Sequence, residues 1–132
     1  MEEKLIIKGN KRLRGEVYIS GAKNSAVGII PAAILSDSKC VLKNLPDIDD
    51  VRHLKNILLQ IGAKVTADGK ETITIESDAI KKYKVDFEAS KKLRASYYFI
   101  GALLGKFRKA EVPFPGGCDI GIRPIDQHIK GF

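Results

Sequence analysis

The chain has 132 residues, 44% hydrophobic and 30% charged, with 23 Lys and Arg against 16 Asp and Glu. That profile suits one small soluble domain with a modest core and excludes a disordered or fibrous chain. The net charge of +7 favours anionic partners such as nucleotides, phosphates or carboxylates, though it serves solubility equally well.

In chain order, residues 3–8 (EKLIIK) and 15–20 (GEVYIS) read as two short strands. Ser25 to Leu35 is small and apolar on nearly all sides, which predicts a helix covered by its neighbours and bent at Pro31. Residues 39–44 form a short strand, with turn residues Asn44, Pro46 and Asp47 at and beyond its end. Asp49 or Asp50 can cap a second helix, in which positions 51, 54, 57, 58 and 61 are apolar at helical spacing and Gly62 is the stop. Residues 63–68 and 71–77 alternate as two strands about a turn at Asp68-Gly69. A further apolar helix spans 95–107, a strand 109–114, and residues 126–130 begin another helix.

The pattern repeats. Ser96 follows Ser25 at an offset of 71 (96 − 25), and helix, strand and proline keep step in both copies. The chain reads as one βαβαββ unit and the opening of a second. A unit cut short is expected to expose apolar surface, which invites a partner chain or self-association.

The residues able to do chemistry cluster late in the chain. In 115-PGGCDIGIRP-124, Gly116, Gly117 and Gly121 let the backbone bring N–H groups close to a ligand. Cys118 at the crest would be a reactive thiolate if nearby cations lowered its pKa. Arg123 could grip a phosphate or carboxylate, with Pro124 stiffening the backbone beside it. Spacing alone leaves Cys118 evenly placed between reagent and half-buried hydrophobe. Lys23 and Asn24 stand at the start of the first apolar helix, where free N–H groups favour an anion; a helix cap with a solvated lysine is the commoner arrangement. Arg94 holds the equivalent place in the second copy. Asp126 could accept hydrogen bonds from a sugar or base, or cap the last helix. Cys40 and Cys118 lie 78 residues apart (118 − 40), with neither the spacing of a metal site nor a disulfide framework, so reduced thiols are expected. His53 and His128 are isolated and read as structural, and neither a metal nor a cofactor is expected. No strand interleaves the aromatics of a base-stacking surface, so nucleic acid is not expected. No apolar run nears a membrane span, and the N-terminus lacks a signal's apolar stretch, so a cytoplasmic protein is expected.

The strings 20-SGAKNSA-26, 93-LRAS-96 and 115-PGGCDIGIRPIDQHIKG-131 closely resemble the UDP-N-acetylglucosamine 1-carboxyvinyltransferase family, and the likeness runs through the whole chain. The related 5-enolpyruvylshikimate-3-phosphate synthases share fold and reaction type but lack the PGGC loop. The resemblance implies transfer of the enolpyruvyl group of phosphoenolpyruvate to the 3-hydroxyl of UDP-N-acetylglucosamine, the opening step of bacterial peptidoglycan synthesis. It implies an α/β fold (α+β in some schemes), the inside-out α/β barrel of βαβαββ repeats, with about one and a half repeats here. Residues 1–20 would pair with a second lobe, and residues 21–132 would form part of the first. By position, Cys118 matches the loop cysteine, a general acid and the target of fosfomycin. Lys23, Asn24 and Arg123 match the phosphoenolpyruvate site. Arg94, Arg123, Pro124, Ile125, Asp126 and Gln127 match contacts to the sugar nucleotide. Family members are roughly three times longer, which implies an N-terminal fragment, inactive alone. The competing class is a non-catalytic binding or assembly module.

Overall fold

The computed structural model describes residues 4–91, 93–114 and 124–132. Helix α1 spans Lys23–Ala32 and tightens into a 3₁₀ turn at Ala33–Leu35. Pro31 lies just before that turn and has no N–H to offer the Val27 carbonyl. Strand β1, Cys40–Leu42, leads into helix α2, Asp49–Ile61. Strands β2, Lys64–Asp68, and β3, Thr72–Glu76, form a hairpin about Gly69, whose φ is 68°. A short helix α3, Phe87–Lys91, precedes a 3₁₀ turn at Arg94–Tyr97, helix α4 at Tyr98–Phe107 and helix α5 at Asp126–Gly131.

The sheet order is β1-β3-β2, antiparallel throughout. Alternation decides its faces. Ile73 and Ile75 point into the core, opposite Leu42 and Cys40 on one side and Ala67 and Val65 on the other. The other face carries Val41, Thr74 and Thr66. There Glu76 sits between Lys39 at 3.1 Å and Lys64 at 3.6 Å. The Lys39 ammonium in particular holds the Glu76 carboxyl below its usual range.

Helix α2 buries Val51, Leu54, Ile57, Leu58 and Ile61, the five positions its spacing marks. Gly62 ends it at φ 106° and donates to the Leu58 and Leu59 carbonyls. Asp49 and Asp50 are not its caps. They occupy the first turn, where they complement the helix dipole, and Ile48 takes the cap position. Helix α1 packs against α2 and α4, with Ala26, Val27, Ile30 and Pro31 inward. Its burial is one-sided: Ile29 is 50% exposed and Leu35 49%.

Three expectations fail. Residues 4–20 form neither strand, because alternation makes a strand only where a partner supplies the ladder. Residues 109–114 form no ladder either; Glu111 makes a single parallel bridge to Lys84. The strand expected at 39–44 shortens to three residues because Asn44 adopts φ 57° and turns the chain. The 71-residue repeat survives: Arg94 opens its turn 71 residues after Lys23 opens α1, and Glu111 falls 71 after Cys40.

Candidate active site

The start of α1 is built by backbone contact. A Cβ on Gly21 would overlap the Asn44 carbonyl oxygen, so only glycine lets these two backbones meet. Asn44 accepts the left-handed φ of 57° that presents that carbonyl, and the next residue, Leu45, donates its N–H to the Glu71 carbonyl at 2.8 Å. Helix α1 then begins at Lys23, with Ala22 in the cap position and no side-chain cap. Asn24 is therefore inside the first turn and exposed, not a cap.

Lys23 is ion-paired. Its Nζ lies 2.7 Å from Oδ2 of Asp50, in the first turn of α2. Two other carboxylates crowd the same turn, and Arg52 takes both, at 2.7 Å to Asp47 and 2.6 Å to Asp49. Those bonds raise the Arg52 pKa, the Asp47 hydrogen bond foremost.

The second cluster forms around the Arg94–Tyr97 turn. Arg94 opens that turn and is half-buried. The Tyr97 ring stacks on Tyr98, with centroids 4.5 Å apart, and meets His128 of α5 edge-on at 5.2 Å. Burial first, then the Tyr98 hydroxyl, pushes the Tyr97 phenol up to about 12, while the Arg94 charge opposes the rise. Helix α5 also lays Phe132 against Gly101 of α4. Thus the structure brings Arg94 and the 124–132 segment to one place. Within that segment Ile125 is buried, Pro124, Asp126 and Gln127 are exposed, and the Gln127 amide donates to Asp126 at 3.3 Å. His128, read from sequence as isolated, is one of the aromatic contacts of this cluster. Cys118 and Arg123 lie outside the described residues, as do Gly116, Gly117 and Gly121.

The starts of α1 and α4 are both shaped for anions, and their far ends touch: Leu35, just past α1, packs on Gly105 of α4. The asymmetry between them is chemical. Lys23 meets a carboxylate, whereas Arg94 acts on a phenol. The sequence reading missed Asp50, taken there as a cap; three acids within four residues beside the GAKN string were the available signal. An open cavity of about 550 Å³ lined by Gln60, Lys81, Lys82, Tyr83, Lys84 and Asp86 shares no residue with either cluster. Its lysines are engaged locally, Lys82 on the Gln60 carbonyl at 3.2 Å and Lys84 on Glu111 at 3.2 Å. Geometry therefore favours the two helix starts over the larger hollow. Among the described residues, no group of three or more His, Cys, Asp or Glu is placed to hold a metal ion, and no helix is long and apolar enough to cross a membrane.

Comparison with known proteins gives these clusters a context. A "UDP-N-acetylglucosamine 1-carboxyvinyltransferase 3" of Caldanaerobacter subterraneus subsp. tengcongensis is 55% identical over 130 residues, 98% of this chain and 31% of that protein. A "UDP-N-acetylglucosamine 1-carboxyvinyltransferase 2" of Listeria monocytogenes serotype 4b is 54% identical over 132 residues, all of this chain and 31% of that protein. The chain thus spans under a third of the length of these curated relatives. The crystal structure of the enolpyruvyl transferase NikO from Streptomyces tendae superposes with a TM-score of 0.66 at 30% identity, over 75% of this chain and 23% of that one. That likeness agrees with the enolpyruvyl transferase fold expected from the sequence. The family described as EPSP synthase (3-phosphoshikimate 1-carboxyvinyltransferase) matches residues 7–132, and the chain belongs to that family.

Proposed function

We propose that this chain is the N-terminal part of a transferase that moves the enolpyruvyl group of phosphoenolpyruvate to the 3-hydroxyl of UDP-N-acetylglucosamine, releasing phosphate. The observation that supports this most is identity above 50%, across essentially the whole chain, to proteins named for that acceptor. The reaction opens peptidoglycan synthesis, and we place it in the cytoplasm.

The chemistry asks for cations at the anionic ends of both substrates and a proton source for the enolpyruvyl carbon. Lys23, at the dipole-positive end of α1, suits the phosphate of phosphoenolpyruvate, with Asn24 beside it and Arg123 as a second cation. Cys118 is the residue we assign to proton delivery and product release. Arg94, Arg123 and residues 124–127 would hold the sugar nucleotide. The half-buried Arg94 and the exposed Pro124, Asp126 and Gln127 around the Tyr97–His128 contact are compatible with that. The reaction needs no metal and no cofactor.

The remaining residues have structural parts in this proposal. Residues 21–132 form part of a first lobe, and residues 1–20 pair with a second. The uncovered side of α1, with Ile29 and Leu35, packs against the rest of the first lobe or drives self-association when that is absent. Phosphate release with both substrates tests the whole. The full-length protein should turn over, and residues 1–132 alone should not. Turnover by the 132-residue chain would sink the fragment reading. Activity with shikimate 3-phosphate in place of the sugar nucleotide would move the assignment to the sister reaction.

A further inference from the structure

Asp50 stands apart from its neighbours. Of the three carboxylates around the start of α2, Asp47 and Asp49 are bound by Arg52, at 2.7 and 2.6 Å. Asp50 alone is turned to α1. Its side chain is 29% exposed, against 77% for Asp49, and its Oδ2 lies 2.7 Å from the Lys23 ammonium. Lys23 keeps 57% of its side chain open to solvent on the other side. An ammonium carries three N–H donors, and one bond to Asp50 leaves two for a ligand. The backbone beneath is indexed to the same connection, because Gly21 abuts the Asn44 carbonyl. Residues 44–50 thus fix Lys23 at both of its ends, main chain through Asn44 and side chain through Asp50.

We propose that Asp50 is a positioning residue: it sets the Lys23 ammonium where the phosphate of phosphoenolpyruvate arrives, without touching the substrate itself. Lysine has a flexible stem and a compact charge, so an unheld ammonium would spread over many positions. Arg52 serves the arrangement by occupying Asp47 and Asp49, which leaves the Lys23–Asp50 pair uncontested. An ion pair at a solvent-facing site contributes little to folding, so its effect belongs in the reaction and not in stability.

The inference rests on the reading of Lys23 as a phosphate contact, and its test separates the two. Asp50→Ala, Asp50→Asn and Lys23→Ala are made in the full-length transferase carrying this chain. Asp50→Ala should lower kcat/KM for phosphoenolpyruvate about 10- to 100-fold, the scale of a catalytic group misplaced by an ångström. The KM for UDP-N-acetylglucosamine and the melting temperature should stay near wild type. Asp50→Asn keeps an oxygen that accepts from the ammonium and should recover part of the loss. It also decides the matter alone should Asp50→Ala fail to fold. Unchanged kinetics in the Asp50 variants, with Lys23→Ala inactive, would overturn the positioning role and leave Lys23 standing. Equal losses for both substrates, or tighter phosphoenolpyruvate binding, would overturn it too. An active Lys23→Ala would remove the reading of Lys23 and this inference with it.

Discussion

Gly21 has no space for a side chain, and the reason is a backbone oxygen, which cannot rotate aside. Gly21→Ala must therefore push the 43–46 turn away from α1. We expect a loss of about 1–3 kcal/mol, as for other overpacked sites, measured as a lower urea midpoint. An unshifted midpoint would mean that the turn retreats without resistance. Lys23 was legible as a helix-start cation because charge and position are both in the string GAKN. Its partner was not. Asp50 reads as a generic first-turn acid until the fold sets α2 beside α1 and Arg52 removes the competing carboxylates. The pairing of Tyr97 with His128 was hidden for the same reason, since 31 residues separate them (128 − 97) and no local spacing links them.

Elements that carry their own period were the most readable. Helix α2 has five inward positions, two acids in its first turn and a glycine stop, and the structure uses all of them. The hairpin of β2 and β3 has strict alternation and a turn at Asp68-Gly69. By contrast, the N-terminal segment alternates too, yet lies extended and unpaired, because alternation specifies a face and not a partner. Helix α3 went unforeseen: five residues hold little more than a turn of periodicity. The readable elements should also be the stiffest. Leu54 is fully buried at the middle of α2. Leu54→Ala should cost about 2–5 kcal/mol by the same urea assay. A cost well below that would show that the α1–α2 seam closes over the cavity.

At the scale of the molecule, the described residues divide into a packed body and an uncovered stretch. In residues 4–20, Leu5, Ile6, Ile7, Leu13, Val17, Tyr18 and Ile19 are each at least 80% exposed. Seven large apolar side chains in water make little contribution to this body. Deleting residues 1–20 should change its unfolding free energy by no more than about 0.5 kcal/mol, the scale of surface changes that touch nothing. A larger loss would place the segment on the body after all, against the proposal that it pairs with a second lobe.

The three-stranded sheet has one more consequence, for how the chain behaves in company. Strands β1 and β2 each have one flank unpaired within it, and such flanks recruit strands from other molecules. Strand β1 is only three residues long, brackets its exposed Val41 with Lys39 and Lys43, and is turned off its line by Asn44. Strand β2 begins with Lys64 and ends with Asp68. Short, charged and interrupted strands are poor templates for intermolecular pairing. The chain therefore carries its own guard against amyloid-like stacking on the sheet side, and sticky behaviour in solution would come from the aliphatic side chains of α1 and the N-terminal segment.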